Sequence, residues 1–267
     1  WTQIGDDIDG EEYGDRSGSS VSLSADGTIL AVGAEANDGA NGSDSGHVRV
    51  FQYQVISGTA TWTQLGQDID GEAAGDGSGR SVSLSSDGTR VAIGAPSNDD
   101  GGTNSGHVRI YEYSNNSWTK LGQDLDGEEG LTYNTQANQF GLSISLSSDG
   151  SRIAIGGHNN SGGGMQRGHV RIYEYGNNSW TQLGADIEGK SNAELSGYSV
   201  SLSSDGTLVA IGAPYANSDR SGKARVYQYT PTGVSSWTQV ADIDGEARND
   251  ESGRAVSISG DGSRVAI

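Results

Sequence analysis

Short apolar runs in which every second residue is large recur along the chain, divided by clusters of Gly, Asp, Asn and Ser. One stretch shows the pattern: Ser81-Val82-Ser83-Leu84-Ser85, Arg90-Val91-Ala92-Ile93-Gly94, His107-Val108-Arg109-Ile110-Tyr111-Glu112-Tyr113 and Trp118-Thr119-Lys120-Leu121. Alternation with period two predicts strands with two different faces. No window longer than ten residues keeps a 3.6-residue apolar spacing, so essentially no helix is expected. The four runs are referred to as strands A to D of one unit.

The unit repeats. Trp-Thr recurs at Trp1, Trp62, Trp118, Trp180 and Trp237, at spacings of 61, 56, 62 and 57 residues, or about 59 per repeat, with four complete units and part of a fifth. Asp-Gly stands between strands A and B in all five units, at Asp26-Gly27, Asp87-Gly88, Asp149-Gly150, Asp205-Gly206 and Asp261-Gly262. Asp-Gly between alternating runs is a strong hairpin signal, because tight antiparallel turns need positive φ angles, which Gly accepts freely and Asp tolerates. Strands A and B are therefore expected to pair antiparallel.

Side-chain size then points to the packing. Val82, Leu84, Val91 and Ile93 fall on one face of A and B, and Ser81, Ser83, Ala92 and Gly94 on the other, while Tyr111, Tyr113 and Trp118 make C and D bulkier. Small residues inside and bulky ones outside describe a wedge that widens away from an axis, as in a propeller blade. A unit of this size has too little core to fold alone and must pack against its neighbours. The expected fold class is all-β, a β-propeller of four-stranded antiparallel blades. Residues 1–267 are expected to be a single β-propeller or most of one, a window of a longer repeat protein. A five-bladed ring would pair a D strand at Trp1 with the sheet begun by residues 255–267, and a larger ring would need further blades.

Composition narrows the function classes. Gly at 43 of 267 residues is well above the usual ~7%, but without a Gly-X-Y period it signals turns rather than collagen. A formal charge of -19, with 16 Lys+Arg against 35 Asp+Glu, repels phosphate backbones, so nucleic acid is not an expected partner. No apolar run is long enough to insert in a membrane as a helix, and the lack of Cys removes disulfides and thiol chemistry.

Two further motifs flank strands A and B. Phe140-Gly141 enters strand A of one unit, with Ser17-Gly18, Ser78-Gly79, Ser196-Gly197 and Ser252-Gly253 at the same place in the others. Gly94-Ala95-Pro96 and Gly212-Ala213-Pro214 leave strand B, with Gly33-Ala34-Glu35 and Gly156-Gly157-His158 as variants. On these residues the whole chain resembles the FG-GAP repeat family, the propeller repeats also found in integrin α-subunit heads. The resemblance implies a propeller, often of seven blades, used outside the cell for adhesion or recognition. It also implies calcium, held by an Asp-x-Asp-x-Asp-Gly loop between A and B. Here that loop is Ser85-Ser86-Asp87-Gly88 or similar, one carboxylate where calcium takes six to eight oxygens, so the family calcium site is not carried over.

Acids gather instead between D and the next A. Asp9 and Glu11, Asp68, Asp70 and Glu72 with Asp76, Asp124 and Asp126, and Asp242 and Asp244 alternate around a Gly, an arrangement that suits Ca²⁺, the one cofactor considered. The competing reading is turn capping and rim solvation, favoured by the Ile or Leu between the acids, which fits strand alternation. If the strands meander outward, the D–A and B–C connections share one face. That face would include the loop residues Asn37, Asp38, Asn98, Asp99 and Asp100, together with 131–139 and Gly162-Gly163-Gly164.

His47, His107 and His169 occupy one place in three units, with Lys223 in the fourth, and repetition favours packing over catalysis. His158 is the unrepeated histidine. The repeated Trp fits contact between blades better than sugar stacking. Asn41, Asn115, Asn159 and Asn177 begin Asn-x-Ser sequons in turn contexts, which are glycan acceptors only in a secreted eukaryotic chain.

The expected function is a non-catalytic extracellular or cell-surface repeat module for adhesion, recognition or surface structure, acting through the acidic face. Its partners would be a protein or glycan on a surface, or further copies. The alternatives are a glycan-binding lectin-like propeller and, third, a propeller enzyme built on an unrepeated cluster around His158. The chain is expected not to be an enzyme.

Overall fold

The computed structural model describes residues 1–128, 138–161, 164–231 and 236–267, and these contain strands and no helix. Residues 131–137 and Gly162-Gly163 of the two long loops named above lie outside the described residues.

The first blade is β1 (Ser17–Leu23), β2 (Ile29–Ala34), β3 (His47–Ile56), and β4 (Thr59–Gln64) with β5 (Ile69–Asp70), the last two both pairing with β3. The second is β6 (Ser81–Leu84), β7 (Arg90–Ala95), β8 (His107–Ser114), β9 (Ser117–Lys120) and β10 (Leu125–Asp126). The third is β11 (Ser143–Leu146), β12 (Arg152–Gly157), β13 (His169–Gly176), β14 (Ser179–Gln182) and β15 (Ile187–Glu188). The fourth is β16 (Ser199–Leu202), β17 (Leu208–Ala213), β18 (Lys223–Thr230) and β19 (Ser236–Asp244), followed by the hairpin β20 (Ser257–Ile258) and β21 (Val265–Ala266). All pairings between these strands are antiparallel, each strand pairing with the next except that β5, β10 and β15 return to β3, β8 and β13.

The hydrophobic cores lie between blades rather than within them. Val48, Val50, Ala31 and Ile69 of the first blade pack against Leu84, Val91, Ile93 and Trp118 of the second. Val108, Ile110 and Leu125 meet Ile153, Ile155 and Trp180 in the same way, and Val170, Ile172 and Ile187 meet Val209, Ile211 and Tyr227. Val21 and Leu23, the first-blade counterparts of Val82 and Leu84, have no blade against them and are 61% and 57% exposed. Burial thus follows from having a neighbour, as expected of a unit too small to fold alone.

Polar contacts around the axis match this packing. The N–H groups of Leu84, Leu146, Leu202 and Ile258 each donate to a Ser hydroxyl on the preceding inner strand: Ser22, Ser83, Ser145 and Ser201, at 2.9 to 3.1 Å. A larger side chain at these Ser positions would wedge the inner strands apart and leave those amides unpaired.

The two signature glycines lie against each other across each junction. A Cβ on Gly94 would lie 2.0 Å from the carbonyl oxygen of Gly141 in the next blade, and Gly33, Gly156 and Gly212 stand equally close to Gly79, Gly197 and Gly253. Gly79, Gly141, Gly197 and Gly253 in turn hold φ near 90°, which L side chains rarely adopt. The Phe-Gly and Gly-Ala-Pro positions are thus the two halves of one backbone-to-backbone contact between blades.

Strand D differs from a plain strand. After β4, β9 and β14 the chain turns out and returns as β5, β10 and β15, so the acid-bearing Ile69-Asp70, Leu125-Asp126 and Ile187-Glu188 belong to strand D and not to the connection. The turn makes room for the next blade's indole: a Cβ on Gly66 would lie 2.9 Å from Trp118, whose Nε1–H donates to the Leu65 carbonyl at 2.7 Å. Trp180 and Trp237 repeat the bond to Leu121 and Leu183. After Trp237 the sequence is one residue shorter, with no Gly, and β19 runs unbroken.

Two expectations are corrected. The segment at Trp1 forms no strand and does not pair with β20 or β21; it lies against the first blade, where Trp62 Nε1–H donates to the Ile4 carbonyl at 3.2 Å. In the A–B turns only Gly takes positive φ, because the Asp has another task. Asp26 accepts from the Thr28 backbone N–H and from the Ser24 and Thr28 hydroxyls, and these bonds hold its carboxyl below the usual range. At Asp87, Asp149 and Asp205 partial burial works the other way, and the same bonds outweigh it.

Ile155→Ala removes a side chain from the junction between the second and third blades and is expected to cost about 2–5 kcal/mol in urea unfolding. Val21→Ala, on the uncovered face, is expected to cost under about 0.5 kcal/mol. Equal losses would contradict cores that lie only between blades.

Candidate functional site

The B–C and D–A loops meet on one face, as chain direction requires, and buried side chains join them. Asp15 accepts from the Glu12 N–H at 2.9 Å and from Asn37 Nδ2 at 3.1 Å, and Asp76 accepts from Ala73 N–H and Asn98 Nδ2 at 3.0 and 3.1 Å. Asp76, Asn37 and Asn98 are buried, so they brace the loops, and Asp38, Asp99 and Asp100 form the exposed part of the same face. In the fourth blade Glu194 takes the bracing role, with a bidentate pair to Arg225 at 2.7 and 3.1 Å, both side chains buried.

Below these loops, strands C and D bring a second set of groups together. His47 stands directly across from Asp70, His107 from Asp126, His169 from Glu188 and Lys223 from Asp244. An Arg follows two residues later on the same face of strand C. Arg49 donates to the Asp9 carbonyl oxygen and Arg109 to that of Asp70 in β5, at 2.6 and 2.8 Å. Glu11 and Glu72 reach back over the pair, with their Oε2 atoms 3.8 Å from His47 and His107 Nδ1. Each cluster therefore joins a D–A connection to the strand C that follows it. At the first, Glu11, His47, Asp68 and Asp70 line a cavity of about 390 Å³ with Glu12, Asp15 and Asp38.

The other acids singled out in the sequence have partners of their own. Asp68 accepts from Gln64 at 2.6 Å, Asp124 pairs with Lys120 at 2.9 Å, and Asp242 and Asp244 both lie by Lys223. Asp126 is pushed above the usual carboxylate range by burial and by Asp124 and Asp100, and Glu188 by burial and by Asp186. Arg171 differs from its counterparts: it grips Asp186 with Nε and Nη2 at 3.0 Å and also binds Glu128.

The repeated histidines are buried, as packing requires, but His107 and His169 make no hydrogen bond through either ring nitrogen. Burial, helped by Arg109 and Arg171, lowers both pKa values, that of His169 to about 4. Taken one unit at a time, the sequence reads these histidines as packing and the acids as turn formers. The signal that joins them is the spacing from Glu in a D–A connection to His in the strand C that follows, for example Glu11 to His47 and Glu72 to His107.

His158 edges the Tyr198 ring at 5.5 Å, and burial alone pushes it down to about 4. No carboxylate contributes to that shift, so the unrepeated acid–histidine cluster expected of an enzyme does not form around it among the described residues. Trp118 and Trp180 are 3% exposed, which leaves no ring face there for a sugar.

The depressed His158 pKa sets a pH dependence. The unfolded chain takes up this proton near pH 6.5 and the folded chain only near pH 4. The associated stability, on the order of 3 kcal/mol, is therefore complete above pH 6.5 and is lost as pH falls to about 4. Urea midpoints measured across that range should fall, and fall less in His158→Gln.

Among curated proteins no sequence matches the chain. Solved structures share its fold. A periplasmic gluconolactonase from Pseudomonas aeruginosa aligns with a TM-score of 0.56 at 17% identity, over 92% of this chain and 63% of its own. A putative 6-phosphogluconolactonase from Bacteroides uniformis aligns with a TM-score of 0.54 at 14% identity, over 86% of this chain and 55% of its own. The chain thus spans less than two thirds of the length of these two proteins. They correct the expectation that the chain is not an enzyme, because structures with this arrangement of blades include a gluconolactonase. Residues 8–51 and 69–111 match the FG-GAP repeat, and the paired signature glycines continue through the units that follow. The units at residues 8–51 and 69–111 belong to the FG-GAP repeat family.

Proposed function

We propose that this propeller is a recognition module, acting outside the cell or at its surface, that presents an acidic face to a cationic protein partner. The observation that carries the reading is the bracing of the B–C and D–A loops by Asp15–Asn37 and Asp76–Asn98, which holds exposed acids such as Asp38, Asp99 and Asp100 on a prepared surface. The net charge of -19 adds a field that attracts such a partner from a distance.

An array of Lys- and Arg-rich peptides beside an array of neutral glycans tests the reading. Peptide binding should weaken with salt and drop about tenfold in Asp38→Asn/Asp99→Asn. Binding to neutral glycans alone would replace it with the lectin alternative.

A second reading, hydrolysis of a sugar lactone, is favoured by the likeness in fold to the two lactonases. Acid release from glucono-δ-lactone or 6-phosphogluconolactone, followed at constant pH, tests it. A rate above the buffer blank would place the chain among the enzymes, and a rate equal to the blank would end this reading.

A further inference from the structure

One position in strand C has two kinds of occupant, and they differ in charge. In the fourth blade it is Lys223, whose ammonium lies 2.6 Å from Asp244 and 3.5 Å from Asp242, so a cation belonging to the chain bridges two strand-D carboxylates. In the first three blades the position is His, and at His107 the imidazole is 1% exposed, has no hydrogen bond and turns Nδ1 toward Glu72. A buried imidazole with a free lone pair beside carboxylates does not supply the charge that Lys223 supplies. It supplies a donor atom instead.

The four junctions meet this need in different ways. In the third blade Arg171 has swung onto Asp186 and Glu128, which provides the cation from within. In the first two blades the arginine stays on a backbone carbonyl, that of Asp9 or Asp70, and only approaches the glutamate, at 3.7 Å for Arg49–Glu11 and 3.3 Å for Arg109–Glu72, each to the Oε1 atom. Oε2 of each glutamate remains directed at the histidine. One donor atom each from Glu72, Asp100 and His107 lies within 4.8 Å of the others, and the same holds for Glu11, His47 and Asp68, and for His169, Asp186 and Glu188, where Arg171 already holds Asp186. Donors around one tetrahedral zinc ion lie about 3.4 Å apart, so the 3.8 Å between Glu72 Oε2 and His107 Nδ1 closes with a shift of about 0.4 Å, and rotation of the carboxylate side chains draws in the rest of the set.

We propose that the first two blades each bind a divalent transition-metal ion of the zinc class, one at His107 with Glu72 and Asp100 and one at His47 with Glu11 and Asp68. An imidazole nitrogen with two carboxylates is a zinc donor set rather than a calcium one, which is built from oxygens alone. Each ion would tie a D–A connection to the strand C that follows it, while the third and fourth blades use Arg171 and Lys223. The proposal shares only Asp100 with the recognition reading, needs no partner and leaves Asp38 and Asp99 unused.

Calorimetric titration of the whole chain with Zn²⁺, beside Ca²⁺, tests it. The expected result is two Zn²⁺ per chain, one in His107→Lys, which copies the fourth blade, and none in His47→Lys/His107→Lys. His107→Gln serves as a second variant should the lysine not fold, and strand content by circular dichroism checks each protein. Absence of saturable Zn²⁺ binding, a stoichiometry that the His replacements leave unchanged, or binding of Ca²⁺ in place of Zn²⁺ would each overturn the proposal.

Discussion

Everything in this molecule depends on how closely one blade's backbone can approach the next. Gly94 and Gly141, and the three equivalent pairs, bring two chains to a separation that a single methyl group would forbid. At that separation the inner-strand Ser hydroxyls reach the neighbouring amides, and the Val and Ile side chains behind them interdigitate. Lost by one added carbon, the spacing would open a junction in which all of these contacts are shared. The family signature can therefore be understood as a condition on contact between repeats rather than as a property of any one strand.

The same constraint sets where chemistry can gather. Because blades pack face against face, the D–A connection between two blades lies over strand C of the second, and Glu72 comes to His107 from 35 positions earlier in the chain. The site between them is repeated but not uniform. In the first two blades a histidine faces a glutamate of the connection before it, in the third Arg171 grips Asp186 and in the fourth Lys223 lies on Asp244, so equivalent places handle negative charge in three ways.

Much of the fold is legible in the sequence. Period-two alternation, Asp-Gly turns and the recurring Trp-Thr define strands, hairpins and repeat, since each is a local property of a few consecutive residues. The excursion in strand D was harder to see: Leu65-Gly66-Gln67 resembles a strand ending, and only Trp118 of the next blade explains why the chain leaves the sheet and returns. The site was half legible. Its acids stand out in the sequence, whereas Asn37, Asn98 and Asp76, which looked like surface residues, are buried because they brace two loops that meet only in three dimensions.

The sequence by itself determined the repeat, the strand order within a blade, the small-inside and bulky-outside gradient and the strongly acidic surface, because these follow from local periodicity and composition. Tertiary structure alone decided that the cores fall between blades, that Gly meets Gly, that Arg171 and not Arg109 grips the strand-D acid, and that a histidine treated as packing faces a glutamate from the connection before it. The physical reason is range. Backbone and side-chain preferences act over a few residues, while each of these contacts joins residues brought together only when one blade is set against another.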